Sequence, residues 1–196
     1  MGTRGVYGFR INGQDKVMYN QYDSYPECLG AAVAEFVQRI PVEDLKRIAQ
    51  GLTLVSQEDR PTQEQVEICR EWGTINLAVA GQSEDDWYCL LRDAQGDLDL
   101  WEQGLPFILG GQDSLSDSLS CEWAYIINLD DEVLEVYRGF NKDPFAPGRY
   151  AGVWVQRAAG DTYQGVKLVK SFPLWALAGL SIDQIVNIMD DGREQC

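Results

Sequence analysis

Two short segments of this sequence concentrate side chains that could take part in chemistry. In the N-terminal one, Thr3 and Arg4 precede a predicted hairpin turn, and Asn20, Gln21 and Asp23 follow it. A tight hairpin brings the start of its first strand beside the end of its second strand. We therefore predict that a hydroxyl, a guanidinium, two carboxamides and a carboxylate lie within side-chain reach of one another.

The N-terminal segment has two interpretations. In the first it is a hydrogen-bonded corner, in which Asp23 and Ser24 cap the next helix and Arg4 pairs with Asp23, because Asp and Ser are common helix caps. In the second it is a ligand-binding or catalytic pocket. The aromatic residues Tyr22 and Tyr25 flank the Asp23 carboxylate, and a helix cap does not require them.

The second segment is the sequence SCEWAY at 120–125, which enters another predicted hairpin. Strand alternation places Glu122 on a face with apolar neighbours, and Trp123 on the opposite face with Cys121. An unpaired carboxylate is costly there, so we expect Glu122 to pair with Arg138, in either a structural or a functional role. The candidate ligand-binding residues of both segments are Arg4, Tyr22, Asp23, Ser24, Tyr25, Glu122, Trp123 and Arg138.

Composition excludes several kinds of chemistry. The chain has no histidine, which removes histidine triads, histidine-ligated zinc and histidine general bases. A net charge of −15 without a basic run argues against nucleic-acid binding. The sequence contains no phosphate-binding glycine loop, and the carboxylate pairs at 85–86 and 130–131 lack calcium-loop spacing. We therefore expect no metal and no cofactor, and we interpret both pairs as solvated turns.

The hydrophobic pattern predicts the elements that position these residues. Strands at 3–11 and 16–20 flank Asn12 and Gly13, a strong hairpin signal, and a helix begins near Pro26. The other predicted elements are a helix at 41–51, a helix after a Thr62–Gln65 capping box, a helix capped by Ser83, a helix resuming after 95–97, strands at 123–129, 133–140, 152–157 and 166–172, and a helix at 181–189 with Ser181 and Gln184 as its capping box.

This order of elements predicts a single α+β domain over residues 1–196, with helices layered on a mostly antiparallel sheet. No stretch approaches the roughly 18 apolar residues of a membrane span, and the N-terminus lacks the apolar core of a secretory signal. The five cysteines form no CxxC pair and indicate mostly buried, reduced thiols. We therefore expect a soluble cytoplasmic protein that does not bind a membrane.

The motifs GTRG at 2–5, YNQYDSYP at 19–26 and CEWAYIINLD at 121–130 occur together in this chain. Together with DWYC at 86–89 and QGD at 95–97, they resemble a widespread, functionally uncharacterised family of phage and bacterial proteins. The resemblance covers most of the chain. It implies a phage-encoded or prophage-encoded protein that acts in the bacterial cytoplasm, and it supplies no activity.

The N-terminal hairpin alone also resembles the N-terminal nucleophile hydrolases, of the choloylglycine hydrolase or proteasome-subunit kind. That resemblance implies that Thr3 attacks an amide with its own amine as base, that Asn20 stabilises the oxyanion, and that Asp23 orients the amine or Arg4. Thr3 becomes the first residue only after Gly2 is removed, and the sequence has no counterpart of a catalytic lysine.

Three functions follow from these observations. The first is a phage-type binding protein that sequesters a small polar or anionic ligand, held by Arg4 and Arg138 and stacked on the aromatic residues of the two segments, or that engages a host protein. The second is the threonine amide hydrolase. The third is an acidic protein that mimics DNA and blocks a nucleic-acid enzyme. The oligomeric state is left open.

Overall fold

The computed structural model describes residues 2–78, 81–153 and 163–190. It has an α+β fold, with one five-stranded sheet, a small two-stranded sheet and short helices. The strands are β1 (Gly5–Ile11), β2 (Gln14–Asn20), β3 (Thr53–Val55), β4 (Phe107–Leu109), β5 (Trp123–Asn128), β6 (Val133–Arg138) and β7 (Lys167–Pro173).

The large sheet has the strand order β2-β1-β5-β6-β7. Three of its four neighbouring pairs are antiparallel, which confirms the predicted sheet type, and β1 pairs with β5 in parallel. Asn12 and Gly13 both adopt positive φ, at 53° and 74°, as a two-residue hairpin turn requires. The sequence did not predict the parallel pairing, which joins the two hairpins into one sheet.

This parallel pairing also brings the turns of the two hairpins together. The Asp130 carboxylate accepts hydrogen bonds from the backbone N–H groups of Asn12, at 2.6 Å, and Gly13, at 2.8 Å. Asp131 accepts one from the Asn128 carboxamide at 2.9 Å. The interpretation of 130–131 as a solvated turn is confirmed, because both residues are exposed and lie in a turn, and the Asp130 carboxylate also joins the two hairpin turns.

Helices follow the predicted pattern with differences at their starts. A turn of π-helix at Pro26–Gly30 leads into the first α-helix, and the Thr62–Gln65 capping box is confirmed. The predicted cap at Ser83 was wrong, since the side chain of Asp86 caps that helix by accepting from Tyr88 N. The α-helices are α1 (Ala31–Arg39), α2 (Val42–Gly51), α3 (Gln63–Glu71), α4 (Trp87–Leu90), α5 (Asp99–Gln103), α6 (Leu174–Leu177) and α7 (Ile182–Asp190).

The small sheet formed by β3 and β4 was not predicted from the sequence. These strands pair in parallel and hold three residues each. Three residues are too few to show a period of two. The pairing joins segments about fifty positions apart, so a local sequence pattern does not predict it.

The large sheet separates two hydrophobic clusters. Tyr7, Phe9 and Tyr125 point toward the helices and belong to the main core. Ala124 and Ile126 point to the opposite face, where Cys121 joins them. Cys121 was predicted on the face of Trp123, but regular alternation begins only at β5, after Cys121, so the prediction does not hold.

Near the C-terminal end, β7 confirms the predicted strand at 166–172 and α7 confirms the predicted helix at 181–189. Ser181 and Gln184 exchange the two hydrogen bonds of a capping box, at 2.8 and 3.2 Å. The predicted strand at 152–157 lies outside the described residues from 154 onward. Within the described ranges, no helix combines the length and the apolar character needed to cross a bilayer.

Candidate functional site

The chain turns sharply after β2 and forms a corner that is built around Asn20. This side chain is buried, and its amide donates to the Tyr22 carbonyl and, at 2.9 Å, to the Ser24 hydroxyl. The Ser24 N–H donates to the Thr3 carbonyl at 3.1 Å. Asn20 therefore positions the corner from inside the protein, and its amide donors are used for that purpose.

Asp23 and Ser24 do not cap the helix as the first interpretation predicted. The residue before the π-helical turn is Tyr25, whose side chain makes no capping hydrogen bond. Ser24 is fully buried against Asn20, and Asp23 contributes its backbone carbonyl, which accepts from Leu29 N at 3.2 Å. Asp23 adopts a φ of 52°. Its carboxylate makes no hydrogen bond or ion pair to any residue that the structure describes.

The corner forms one wall of an open cleft of about 910 Å3. Asn20, Gln21, Tyr22 and Asp23 line this wall, and the start of the first helical segment contributes Cys28, Leu29 and Ala32. The opposite wall comes from the segment between α3 and α5. Its lining residues are Asn76, Tyr88, Arg92, Asp93, Gln95, Gly96 and Asp97.

Tyr7 ties the opposite wall to the central sheet. Its buried hydroxyl donates to the Ala94 carbonyl at 3.2 Å and accepts from Gly96 N at 2.8 Å. Burial raises the pKa of the Tyr7 phenol well above its usual range, so the hydroxyl keeps its proton and both hydrogen bonds. Gln95 then bridges the walls, because its side-chain oxygen accepts from Gln21 N at 3.2 Å.

Gly96 lies close to the corner on the other wall of the cleft. It adopts a φ of 84°, and a Cβ at this position would lie 3.3 Å from Asn20 Oδ1. A glycine here therefore permits both the left-handed backbone and the contact with the corner. The QGD motif at 95–97 is visible in the sequence, but nothing in the local pattern predicted Tyr7, Gln95 or Gly96 at a site.

The charged groups of the cleft are three aspartates and one arginine. The Arg92 guanidinium lies over the Tyr88 ring, 5.7 Å from its centroid, and donates to Gln82 at 3.2 Å. One oxygen of Asp93 accepts from the Asn76 amide at 2.7 Å. The cleft therefore carries a net negative charge. Within the described ranges, no three His, Cys, Asp or Glu side chains are grouped to hold a metal ion.

The second predicted segment meets the N-terminal one away from this cleft. Arg4 N donates to Glu122 Oε1 at 3.3 Å, and the Arg4 Nη2 donates to the Leu119 carbonyl at 2.9 Å. The cation beside Glu122 is thus Arg4 and not the predicted Arg138. The reason is the parallel pairing of β1 with β5, which places residues 4 and 122 side by side.

Arg138 lies on the other side of the sheet from Arg4. It is the register partner of Trp123, and its guanidinium lies 5.5 Å from the centroid of that ring. Trp123 is buried and stacks on Tyr125, with centroids 6.4 Å apart. The two arginines that were predicted to hold an anion therefore do not share a cavity, and the Trp123 ring already has neighbours.

The remaining predicted residues also lie outside the lining of the cleft. Thr3 is 3% exposed, and the ring of Tyr22 lies against Gly2 beside it. Ser24 is buried, and Tyr25 is exposed at the surface. Three of the predicted site residues, Asn20, Tyr22 and Asp23, line the cleft.

A second polar cluster, which the sequence analysis missed, lies on the face of the sheet opposite the helices. Glu135 is buried, and Arg149 donates to both of its carboxylate oxygens. Asn128 donates to the same carboxylate at 2.9 Å and Tyr137 at 3.0 Å. Four hydrogen bonds on one carboxylate leave it no free position, so we assign this cluster a structural role. Burial also raises the pKa of the Tyr137 phenol.

No protein-family model, curated protein or solved structure matches this chain.

Proposed function

We propose that this protein binds a small polar ligand in the cleft between the N-terminal corner and the wall formed by residues 76, 88, 92–93 and 95–97. The observation that carries the proposal is the cleft itself, with a volume of about 910 Å3 and a lining of carboxylates, carboxamides and tyrosines. Pockets for small molecules commonly span about 300–1,000 Å3 and present a few convergent polar groups.

Both walls of the cleft are held in place without a ligand. Asn20 holds the corner, Tyr7 holds the opposite turn, and Gln95 joins the two. A preformed site loses little conformational entropy when its ligand binds. These contacts favour a preformed binding site over a segment that becomes ordered only when a partner binds.

The burial of Thr3 favours binding over hydrolysis. A threonine nucleophile must meet its substrate, whereas Thr3 is 3% exposed and lies outside the lining of the cleft. The motif resemblance supports a phage or prophage origin and action in the bacterial cytoplasm, and both belong to this proposal. Intact mass of the untagged protein tests the hydrolase directly, since that reaction requires the loss of Gly2 as well as Met1.

The cleft contains a natural reporter for ligand binding. Cys28 lines the cleft and is exposed, while Cys69, Cys89 and Cys121 are buried. Burial raises the pKa of the Cys69 thiol to about 11 and that of Cys121 to about 12, so few of these groups are reactive thiolates at neutral pH. In a Cys196→Ser background, the fast phase of modification by Ellman's reagent should therefore report Cys28.

The test is a panel of nucleotides, sugars, amino acids and polyamines at pH 7.5. We expect at least one class to slow the Cys28 phase about tenfold, because a bound ligand covers the thiol, and to raise the melting temperature. Cys28→Ser should remove the fast phase and serves as the control. If no compound slows the phase or raises the melting temperature, the proposal of a small-ligand site is wrong.

A further inference from the structure

The charged groups that line the cleft favour one kind of ligand. Several of its side-chain donors are already used within the protein: the Asn20 amide donates within the corner, the Asn76 amide donates to Asp93, and Arg92 donates to Gln82 and lies over the Tyr88 ring. An anionic ligand would therefore meet three carboxylates and one arginine that already contacts Gln82 and Tyr88.

The carboxylate oxygens that line the cleft, in contrast, are largely without hydrogen-bond donors among the described residues. The Asp23 carboxylate has no partner within the described residues, and single oxygens of Asp93 and Asp97 accept the bonds that the structure records. Each charged carboxylate can accept several hydrogen bonds. The cleft therefore favours a ligand that donates hydrogen bonds over one that accepts them.

The charges of the cleft and of the whole chain both favour a cationic ligand. Within the cleft, three aspartates face one arginine that is already engaged. Across the whole chain, the net charge of −15 attracts cations and repels anions over longer distances. Tyr22 lines the cleft and is 61% exposed, and aromatic rings bind organic cations well.

We infer that the ligand of this cleft is a small organic cation with one or more ammonium groups and further hydrogen-bond donors, such as a polyamine or an amino sugar. The inference rests on the proposed function, and it replaces the anionic ligand predicted from Arg4 and Arg138. Asp23 contacts an ammonium group, and the second oxygens of Asp93 and Asp97 accept further donors on the opposite wall. The volume of about 910 Å3 accommodates an organic ligand of this kind.

The probes form two sets of three compounds that differ in charge and resemble one another in shape. Spermidine and glucosamine are the cations, triethylene glycol and glucose their neutral counterparts, and citrate and glucuronate the anions. Binding is measured by protection of Cys28 in the Cys196→Ser background and by calorimetry. We expect the two amines to bind at least about tenfold more tightly than their neutral counterparts, because charge-assisted hydrogen bonds are the stronger ones. Their affinity should fall as salt rises.

Two variants locate the effect. Asp23→Asn retains a residue that tolerates positive φ, and it should weaken spermidine binding about tenfold, as the loss of one charge-assisted hydrogen bond predicts. Asp97→Asn should weaken it to a similar extent. Asp59→Asn, which removes an exposed carboxylate outside the cleft, should leave the affinity unchanged and is the matched control.

The outcomes separate this inference from the proposed function. If neutral or anionic probes protect Cys28 as well as the amines do, the cleft binds ligands but the amine class is wrong. Equal weakening by all three variants would show a general effect of charge and would also overturn the inference. Failure of the amines, together with failure of the wider panel, overturns the proposed function as well.

Discussion

The cluster around Glu135 and the cleft beside Asp23 contain nearly the same residue types. Each combines carboxylate, carboxamide and tyrosine side chains with one arginine. They differ in how the arginine is used. Arg149 binds both oxygens of Glu135, whereas Arg92 is turned to a tyrosine ring and a glutamine, so that the aspartates of the cleft remain open. What separates a structural cluster from a candidate binding site is whether the carboxylate oxygens already have hydrogen-bond partners within the protein, and not the residue composition.

Removal of the Glu135 carboxylate tests the structural side of this comparison and should have the largest effect. Glu135→Ala leaves the buried Asn128 amide and Tyr137 hydroxyl without their acceptor, and each unsatisfied buried polar group costs about 1–3 kcal/mol. Urea unfolding followed by circular dichroism measures the loss. Glu58→Ala, at an exposed position, is the control, and a loss below about 1 kcal/mol in Glu135→Ala would contradict the structural role.

The corner that supports the cleft should show an intermediate effect. Asn20→Ala removes the donors to the Tyr22 carbonyl and the Ser24 hydroxyl, and an unsatisfied buried polar group costs about 1–3 kcal/mol. The same unfolding experiment measures it. We also expect the Cys28 thiol to react with a changed rate, because the wall of the cleft has moved. An unchanged rate with lowered stability would show that Asn20 supports the fold without shaping the cleft.

Alkaline pH should lower the free energy of unfolding through Cys121, which is buried on the face of the sheet opposite the helices. Burial raises the pKa of this thiol from about 9 to about 12, so above pH 9 the unfolded chain releases a proton that the folded chain retains. The stabilisation is therefore complete below pH 9 and is lost as the pH rises toward 12. The free energy of unfolding should fall by up to about 1.4 kcal/mol per pH unit from this group. Cys121→Ala should reduce the slope, and an identical slope in both proteins would refute this assignment.

The smallest effect on stability is expected at the open carboxylate. Asp23→Asn changes a side chain that has no partner in the described part of the chain, so the free energy of unfolding should change by no more than about 0.5 kcal/mol. Chemical denaturation checks this. The contrast with Glu135→Ala is the sharpest form of the comparison, and a loss above about 2 kcal/mol at Asp23 would place that residue among the structural carboxylates.

Local signals were sufficient for most of the elements. Asn12 and Gly13 specify a hairpin because both adopt positive φ, and capping boxes such as Thr62–Gln65 mark helix starts within four residues. The same reasoning located Asn20, Tyr22 and Asp23, which follow directly from the hairpin. It failed at Ser83, where Asp86, three positions later, supplies a competing cap.

The sequence by itself determined most of the element types, the α+β class and one wall of the cleft, because these depend on neighbours a few positions apart. Only the tertiary structure decided that β1 pairs with β5, that Glu122 meets Arg4, and that Tyr7 holds the turn at Gly96. Each of these contacts joins residues about ninety or more positions apart. Their partners are selected by the packing of the whole core, where many alternative pairings satisfy the same local pattern, so the opposite wall of the cleft carries no local signal.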